Sequence, residues 1–391
     1  MLRFLTAGES HGKALTTIIE GLPAGIPLRA DFINRHLARR MHGYGRGGRM
    51  KIETDTVEIL SGVRHGLTMG SPVALVVRNA DNQNQNWRTV LNEEPVPDDV
   101  AKVTRLRPGH ADMAGVIKYG FDDVRPVLER SSARETVTRT AIAAVCRALL
   151  EQFDIHIRSH VVRIGPIAWG EVALPANPAD WPWDENDASP LRCFDKAAEA
   201  EMVRTVDDAK ARGDTVGGAF EVVAWGMPVG LGSFMHFDRR LDGQIAGAIM
   251  SIPAIKGVEI GEGFGVAAKF GSQVQDQIRW DDASGWGRLS NRAGGTEGGM
   301  TNGQPLVVRA AVKPISTMMR PLPSVDLATK EESVAHVERA DVCQVPAAGI
   351  VGEAMVAIVL AQNFLDKFGG DHLDHIRGAY TAFVNSYAVA D

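Results

Sequence analysis

Arg39, Arg40, His42, Arg46 and Arg49 lie close together in the chain, with Gly43, Gly45, Gly47 and Gly48 among them and no acidic residue inside the stretch. Guanidinium forks match the oxygens of carboxylates and phosphates, and glycines let the backbone approach a ligand closely. The spacing predicts a site for a small polyanion, set in a chain whose formal net charge is −6. Two histidines, His11 in Gly8-Glu9-Ser10-His11-Gly12 and His110 in Arg107-Pro108-Gly109-His110-Ala111-Asp112, stand on glycine-flanked loops. An imidazole there can move protons near neutral pH.

Three further segments point at anions. Arg130-Ser131-Ser132-Ala133-Arg134-Glu135-Thr136 places hydroxyls and guanidinium groups at an expected helix N-terminus, where unpaired N–H groups and the dipole favour negative charge. Lys313-Pro314-Ile315-Ser316-Thr317 joins a cation to two hydroxyls, and Arg339-Ala340-Asp341-Val342-Cys343 sets an arginine near a carboxylate. His36, His65, His156, His160 and His236 have no such surroundings and read as structural.

Other chemistries are excluded by pattern. Gly43 to Gly48 satisfies GxGxxG but follows a helical pattern instead of a strand, which rules out a dinucleotide fold. There is no phosphate-binding P-loop, no GxSxG nucleophile motif and no zinc-ligand spacing, so no metal is expected. Cys146, Cys193 and Cys343 are far apart, which indicates neither disulfides nor a thiolate metal site and fits a reducing cytoplasm. The N-terminus reaches polar residues too early for a signal peptide, and no membrane span is expected. A pI near 6.0 with one short basic cluster argues against a nucleic-acid partner.

The elements that must position these residues are legible in part. Helices are expected over Asp31–Met41, after a Ser132/Glu135 capping box with the stripe Val137, Ala141, Ala144, Val145, Ala148 and Leu149, over Asp238–Ile252, and over Gly349–Phe368. The last is apolar nearly all round and belongs in the interior. Residues 170–195, rich in Pro, Asp, Asn and Trp, read as a peripheral surface excursion. Gly21-Leu22-Pro23-Ala24-Gly25 is echoed by Gly226-Met227-Pro228-Val229-Gly230, and Gly66 to Pro72 by Gly299 to Pro305. Two echoes in the same order predict a single domain, residues 1–391, made of two interlocked halves with the site between them.

In chain order GESHG, the RR and GYGRGG cluster, RPGHAD, RSSARET, AIKGVEIG, GGTEGGMTNGQP, KPIST and RADVCQVPAAGIV resemble the chorismate synthase family, over everything but the excursion. The resemblance implies an α+β fold: a β-α-β sandwich with internal pseudo-symmetry whose antiparallel sheets enclose a helical layer, assembled as a homotetramer. It implies a lyase that converts 5-enolpyruvylshikimate 3-phosphate to chorismate and phosphate by a redox-neutral anti 1,4-elimination assisted by reduced FMN. By similarity Arg40, Arg46, Arg49 and Arg134 hold the substrate, His11 protonates the departing phosphate, His110 hydrogen-bonds the reduced flavin, and Asp341 relays a proton. Cofactor contacts carry over to Arg130, Ser131, Ser132, Pro253, Ala254, Gly298, Lys313, Pro314, Ile315, Ser316, Thr317 and Arg339. Reduced flavin is expected from an external flavin reductase, with NADPH as the possible reductant. Two rival readings remain at this point: an RNA-binding protein, disfavoured by an aromatic content of only 6%, and a flavin oxidoreductase with net hydride transfer.

Overall fold

The computed structural model describes residues 1–47, 54–83, 100–170, 172–283, 285–338 and 340–388. Two antiparallel sheets dominate. The first contains β1 (Arg3–Ala7), β2 (Ala14–Glu20), β3 (Val57–Ile59) and β4 (Val73–Arg78) in the order β1-β2-β4-β3. Its strands alternate: Leu15, Thr17 and Ile19 of β2 and Val73, Leu75 and Val77 of β4 are buried while their neighbours are more open, so one face meets the core.

The second sheet contains β5 (His156–Ile164), β6 (Ile167–Ala168), β7 (Gly218–Trp225), β8 (Ile255–Ile260) and β9 (Leu306–Val312), in the order β8-β9-β7-β5-β6. Here β7 is buried on both faces. Phe220 and Val222 meet a helix, and Val223 packs with Trp183 and Phe194. The excursion therefore does not lie wholly at the surface as its composition suggested: Trp183 packs on Val223 of the central strand, Leu191 and Cys193 join the main core, and Arg192 is buried where it donates to the Arg39 carbonyl.

Among the helices are α1 (Ala30–Met41), α2 (Asp112–Tyr119), α3 (Arg125–Arg130), α4 (Thr136–Leu150), α5 (Lys196–Ala211), α6 (Leu241–Met250), α7 (Val345–Phe368) and α8 (Leu373–Asn385). α4 packs on β2 and β4, α7 packs on β5 and β7, α1 contacts both α4 and α7, α4 contacts α7, and α6 contacts α7. α7 starts four residues before the expected Gly349, with Pro346 in its first turn, where a missing N–H costs nothing. By length and composition α7 could cross a membrane, but 94% of its apolar window is buried inside the protein. The expected capping box is absent. Ser132 accepts from the Arg134 N–H at 3.3 Å and caps a 3-10 turn, while Glu135 turns to Arg139 at 2.9 Å, so α4 begins at Thr136.

Glu353, at the middle of α7, is fully buried and accepts from Arg39 at 2.7 Å, Arg147 at 2.6 Å and Ser159 at 2.7 Å. Burial opposes its charge, but the Arg39 and Arg147 guanidiniums outweigh that and hold its carboxyl at about 2. Nearby His36 is pushed down to about 2 by burial and by the same arginines. Both folded values lie below the ordinary 4.5 and 6.5, so the stability they supply is complete only above those values and is lost as pH falls toward about 2. Thermal unfolding followed from pH 7 downward should show Tm falling below about 6.5 and more steeply below about 4.5. Glu353→Gln should cost about 3–5 kcal/mol at neutral pH and flatten the steeper limb. A variant with an unaltered acid profile would show that the network is not what responds.

Candidate active site

A single cleft of about 990 Å³ collects most of the residues singled out in the sequence. Different elements bring them there. His11 comes from the turn joining β1 and β2, which Gly8 makes possible: its φ is +110°, and a Cβ would meet the Ala14 carbonyl at 2.4 Å. His110 follows Gly109 just before α2, and Arg40 stands in the last turn of α1. Arg46 lies on the loop beyond α1, while Arg130, Ser131, Ser132 and Arg134 span the junction of α3 and α4. Pro253 and Ala254 precede β8, Lys313 to Thr317 follow β9, and Asp341 precedes α7. All of these line the cleft.

Each histidine is held by a carboxylate. Glu129, fully buried on α3, accepts from the His11 backbone N–H at 2.7 Å and lies 2.8 Å from His11 Nδ1. Asp81 is 3.9 Å from Nε2. His110 Nδ1 lies 2.5 Å from Asp112, whose other oxygen takes Arg107 Nε at 2.8 Å. Burial would raise the Asp112 carboxyl, but hydrogen bonds from Arg107 and His110 hold it well below the usual carboxylate range.

The basic residues of the cleft have partners of their own. Arg40 donates to Asp55 at 3.0 Å, and Arg134 donates to the other oxygen of Asp55 at 2.5 Å and to Asn79 at 3.0 Å. Burial, assisted by Arg46 and Arg134, brings Arg40 down to about 10 despite Asp55, so it stays charged at neutral pH. Burial works against the Asp55 charge as well, and the two arginines reverse the effect and lower its pKa. Arg40 Nε is buried without a hydrogen-bond partner among the described residues. Arg46 pairs with Asp341 at 3.0 Å, and the Gly47 N–H donates to the same carboxylate at 2.6 Å. Lys313 donates to the Gly109 carbonyl, and burial next to Lys256 lowers its pKa. The described lining is predominantly cationic: Arg40, Arg46, Arg107, Arg130, Arg134, Arg139 and Lys313 against Glu135, Glu338 and Asp341, with Asp55 and Asp112 paired behind it.

Three expected positions are not among the cleft's described lining. Arg49 and Arg339 lie outside the described residues. Gly298 does not line the cleft; it sits in the turn of the Thr296–Glu297 and Met300–Thr301 ladder, beside Phe234. Its φ of +59° accounts for glycine there through the turn. Asp55, Glu129 and Asp112 were not identified from sequence. Asp112, two residues beyond His110, carried a readable signal, whereas Glu129 and Asp55 meet their partners only through the fold.

The chorismate synthase family model matches residues 2–365. The chain is 54% identical over 396 aligned positions to "Chorismate synthase" of Solibacter usitatus, covering 98% of each, and 52% identical to "Chorismate synthase 1" of Bacillus cereus, covering 96% of this chain and 97% of that one. A solved structure described as "Crystal Structure of Chorismate Synthase" superposes with a TM-score of 0.79 at 43% identity, covering 100% of this chain and 99% of the other. A family match across nearly the whole chain, relatives at half identity or better and a shared fold leave one assignment: the chain belongs to the chorismate synthase family.

Proposed function

We propose that the cleft binds 5-enolpyruvylshikimate 3-phosphate together with reduced FMN and carries out the family's reaction, loss of phosphate to give chorismate. The observation that carries this reading is the excess of arginine and lysine over acid in a cleft of about 990 Å³, at the upper end of ligand sites and thus roomy enough for two molecules. The substrate has two carboxylates and a phosphate, and the unpartnered Arg40 Nε is a buried donor that such an anion would satisfy.

The residues present suit the cofactor too. Ser131, Ser132, Ser316 and Thr317 offer hydroxyls, and Arg130 and Lys313 offer cations, for a phosphorylated sugar-alcohol chain. Pro253 and Ala254 offer backbone and a flat apolar surface, with Pro314 and Ile315 completing that wall. Reduced flavin, when bound, supplies electron density that stabilises the ring as the allylic C–O bond breaks. Arg40, Arg46 and Arg134 orient the substrate anions. His11 gives its proton to the departing phosphate from Nε2, because Nδ1 is held by Glu129. Asp341, fixed by Arg46 and the Gly47 N–H, is assigned to receive the proton lost from C6. His110 is assigned to hydrogen-bond the cofactor, with Asp112 and Arg107 setting its ring. Arg49, Arg339 and Gly298 keep their places in this assignment from family resemblance alone.

The chain is read as one domain of two interlocked, pseudo-symmetric halves in a β-α-β sandwich. Support comes from the element order β1-β2-α1-β3-β4-α4, which recurs as β5-β7-α6-β8-β9-α7 with matching sheet orders. It comes also from Thr68 and Thr301, each of which donates to the proline carbonyl of its own Gly/Pro turn, Pro23 and Pro228, at 2.7 and 2.6 Å. A homotetramer is favoured by the apolar surface around Phe237 and Phe264, which are 78% and 81% exposed. A cytoplasmic location and an external, NADPH-driven flavin reductase complete the proposal.

Anaerobic phosphate release with and without dithionite-reduced FMN tests it. One phosphate per chorismate is expected, with no reductant consumed per cycle and no release when flavin is oxidised or omitted. Release that ignores flavin, or net consumption of reductant, would overturn the assignment.

A further inference from the structure

The residues at the end of the excursion do not line the cleft, yet they converge on the two places that carry its arginines. Asp187 accepts from Arg39 Nε at 2.8 Å and from its Nη2 at 3.0 Å, while Glu353 takes the remaining face of the same guanidinium at 2.7 and 2.9 Å. Arg192, itself 2% exposed, donates from Nη2 to the Arg39 backbone carbonyl at 2.6 Å. That carbonyl belongs to the last turn of α1, where no intrahelical donor remains to satisfy it. The Pro190 carbonyl accepts from the Tyr44 N–H at 2.8 Å. From the other side the Val342 N–H donates to the Gly45 carbonyl at 2.8 Å. Arg40 is the next residue after Arg39, and Arg46 lies between Gly45 and the Gly47 N–H that Asp341 binds.

From this geometry we infer that the segment 187–192 is a positioning element for the elimination: it fixes the end of α1 and the 42–47 loop so that Arg40 and Arg46 meet the anionic groups of the substrate. The inference rests on the substrate-binding role proposed above for those arginines. Three contacts from one short segment, to a side chain, a helix carbonyl and a loop N–H, leave the end of α1 little freedom to rotate. A displacement of about 1 Å at a binding group is enough to cost a large factor in catalysis.

The test is steady-state kinetics of Asp187→Asn on the full chain with saturating reduced FMN, alongside Arg46→Met. Asp187→Asn should raise KM for the phosphorylated substrate about tenfold with kcat within about twofold. A purely structural loss would reduce the amount of active enzyme, lowering apparent kcat and leaving KM alone. Asp187→Glu keeps the charge, should raise KM by only about two- to threefold, and serves as the second variant if the amide does not fold. Unchanged KM in whichever Asp187 variants fold, with KM raised in Arg46→Met, overturns this inference alone. Unchanged KM in Arg46→Met overturns the substrate-binding role on which it rests.

Discussion

His11→Ala is expected to lower kcat by about 10²–10⁴, with KM for the phosphorylated substrate changed little. The reason is the division of labour around the ring. Glu129 holds Nδ1 and the backbone N–H of the same residue, and Asn82 holds its carbonyl at 2.8 Å, so the turn keeps its shape when the imidazole is removed. What is lost is a proton donor aimed at the leaving group. His110→Ala should also slow turnover, by about 10² or more, and should in addition weaken the response to reduced flavin. Single-turnover phosphate release under anaerobic conditions reads both. Unchanged rates in both variants would remove the proton-transfer assignments and leave the family membership untouched.

Arg134→Met and Arg40→Met are expected to act on KM instead. A charge-assisted hydrogen bond to a buried partner contributes about 1.5–3 kcal/mol, which corresponds to a KM rise of about 10- to 150-fold for each variant. Both arginines share Asp55, so their effects should not add: removing one leaves Asp55 paired to the other, while removing both leaves a buried carboxylate with neither. The double variant should therefore lose stability, visible as a lowered Tm, as well as affinity. If both single variants kept the original KM, the basic wall would not be the substrate's binding site.

Much of this was readable in one dimension. Charged and hydroxyl residues set among glycines announce a ligand whatever the fold, and His11, His110, Arg40, Arg46, Arg130 to Arg134, Lys313 to Thr317 and Asp341 do line one cleft. The 3.6-residue period located α4, which has to bury an apolar stripe, and a run apolar nearly all round located α7 in the interior. Cap geometry was less legible: Ser132 and Glu135 have the spacing of a capping box, yet the pull of Arg139 on Glu135 converted that turn to 3-10.

Residue types and local periodicity by themselves determined the cationic character of the site, its two loop histidines and the mixed helical and sheet composition, because these depend on side-chain chemistry and on near neighbours. Only the tertiary structure decided which arginines serve the cleft. Arg39 and Arg40 are adjacent in the chain, but about 100° of helical rotation separates them, sending one to Glu353 and Asp187 and the other to Asp55 and the cleft. The same holds for Glu129, Asp55 and the segment 187–192. Their partners are tens to hundreds of residues distant along the chain, and a long-range electrostatic pairing leaves no mark on local sequence until packing brings its two ends together.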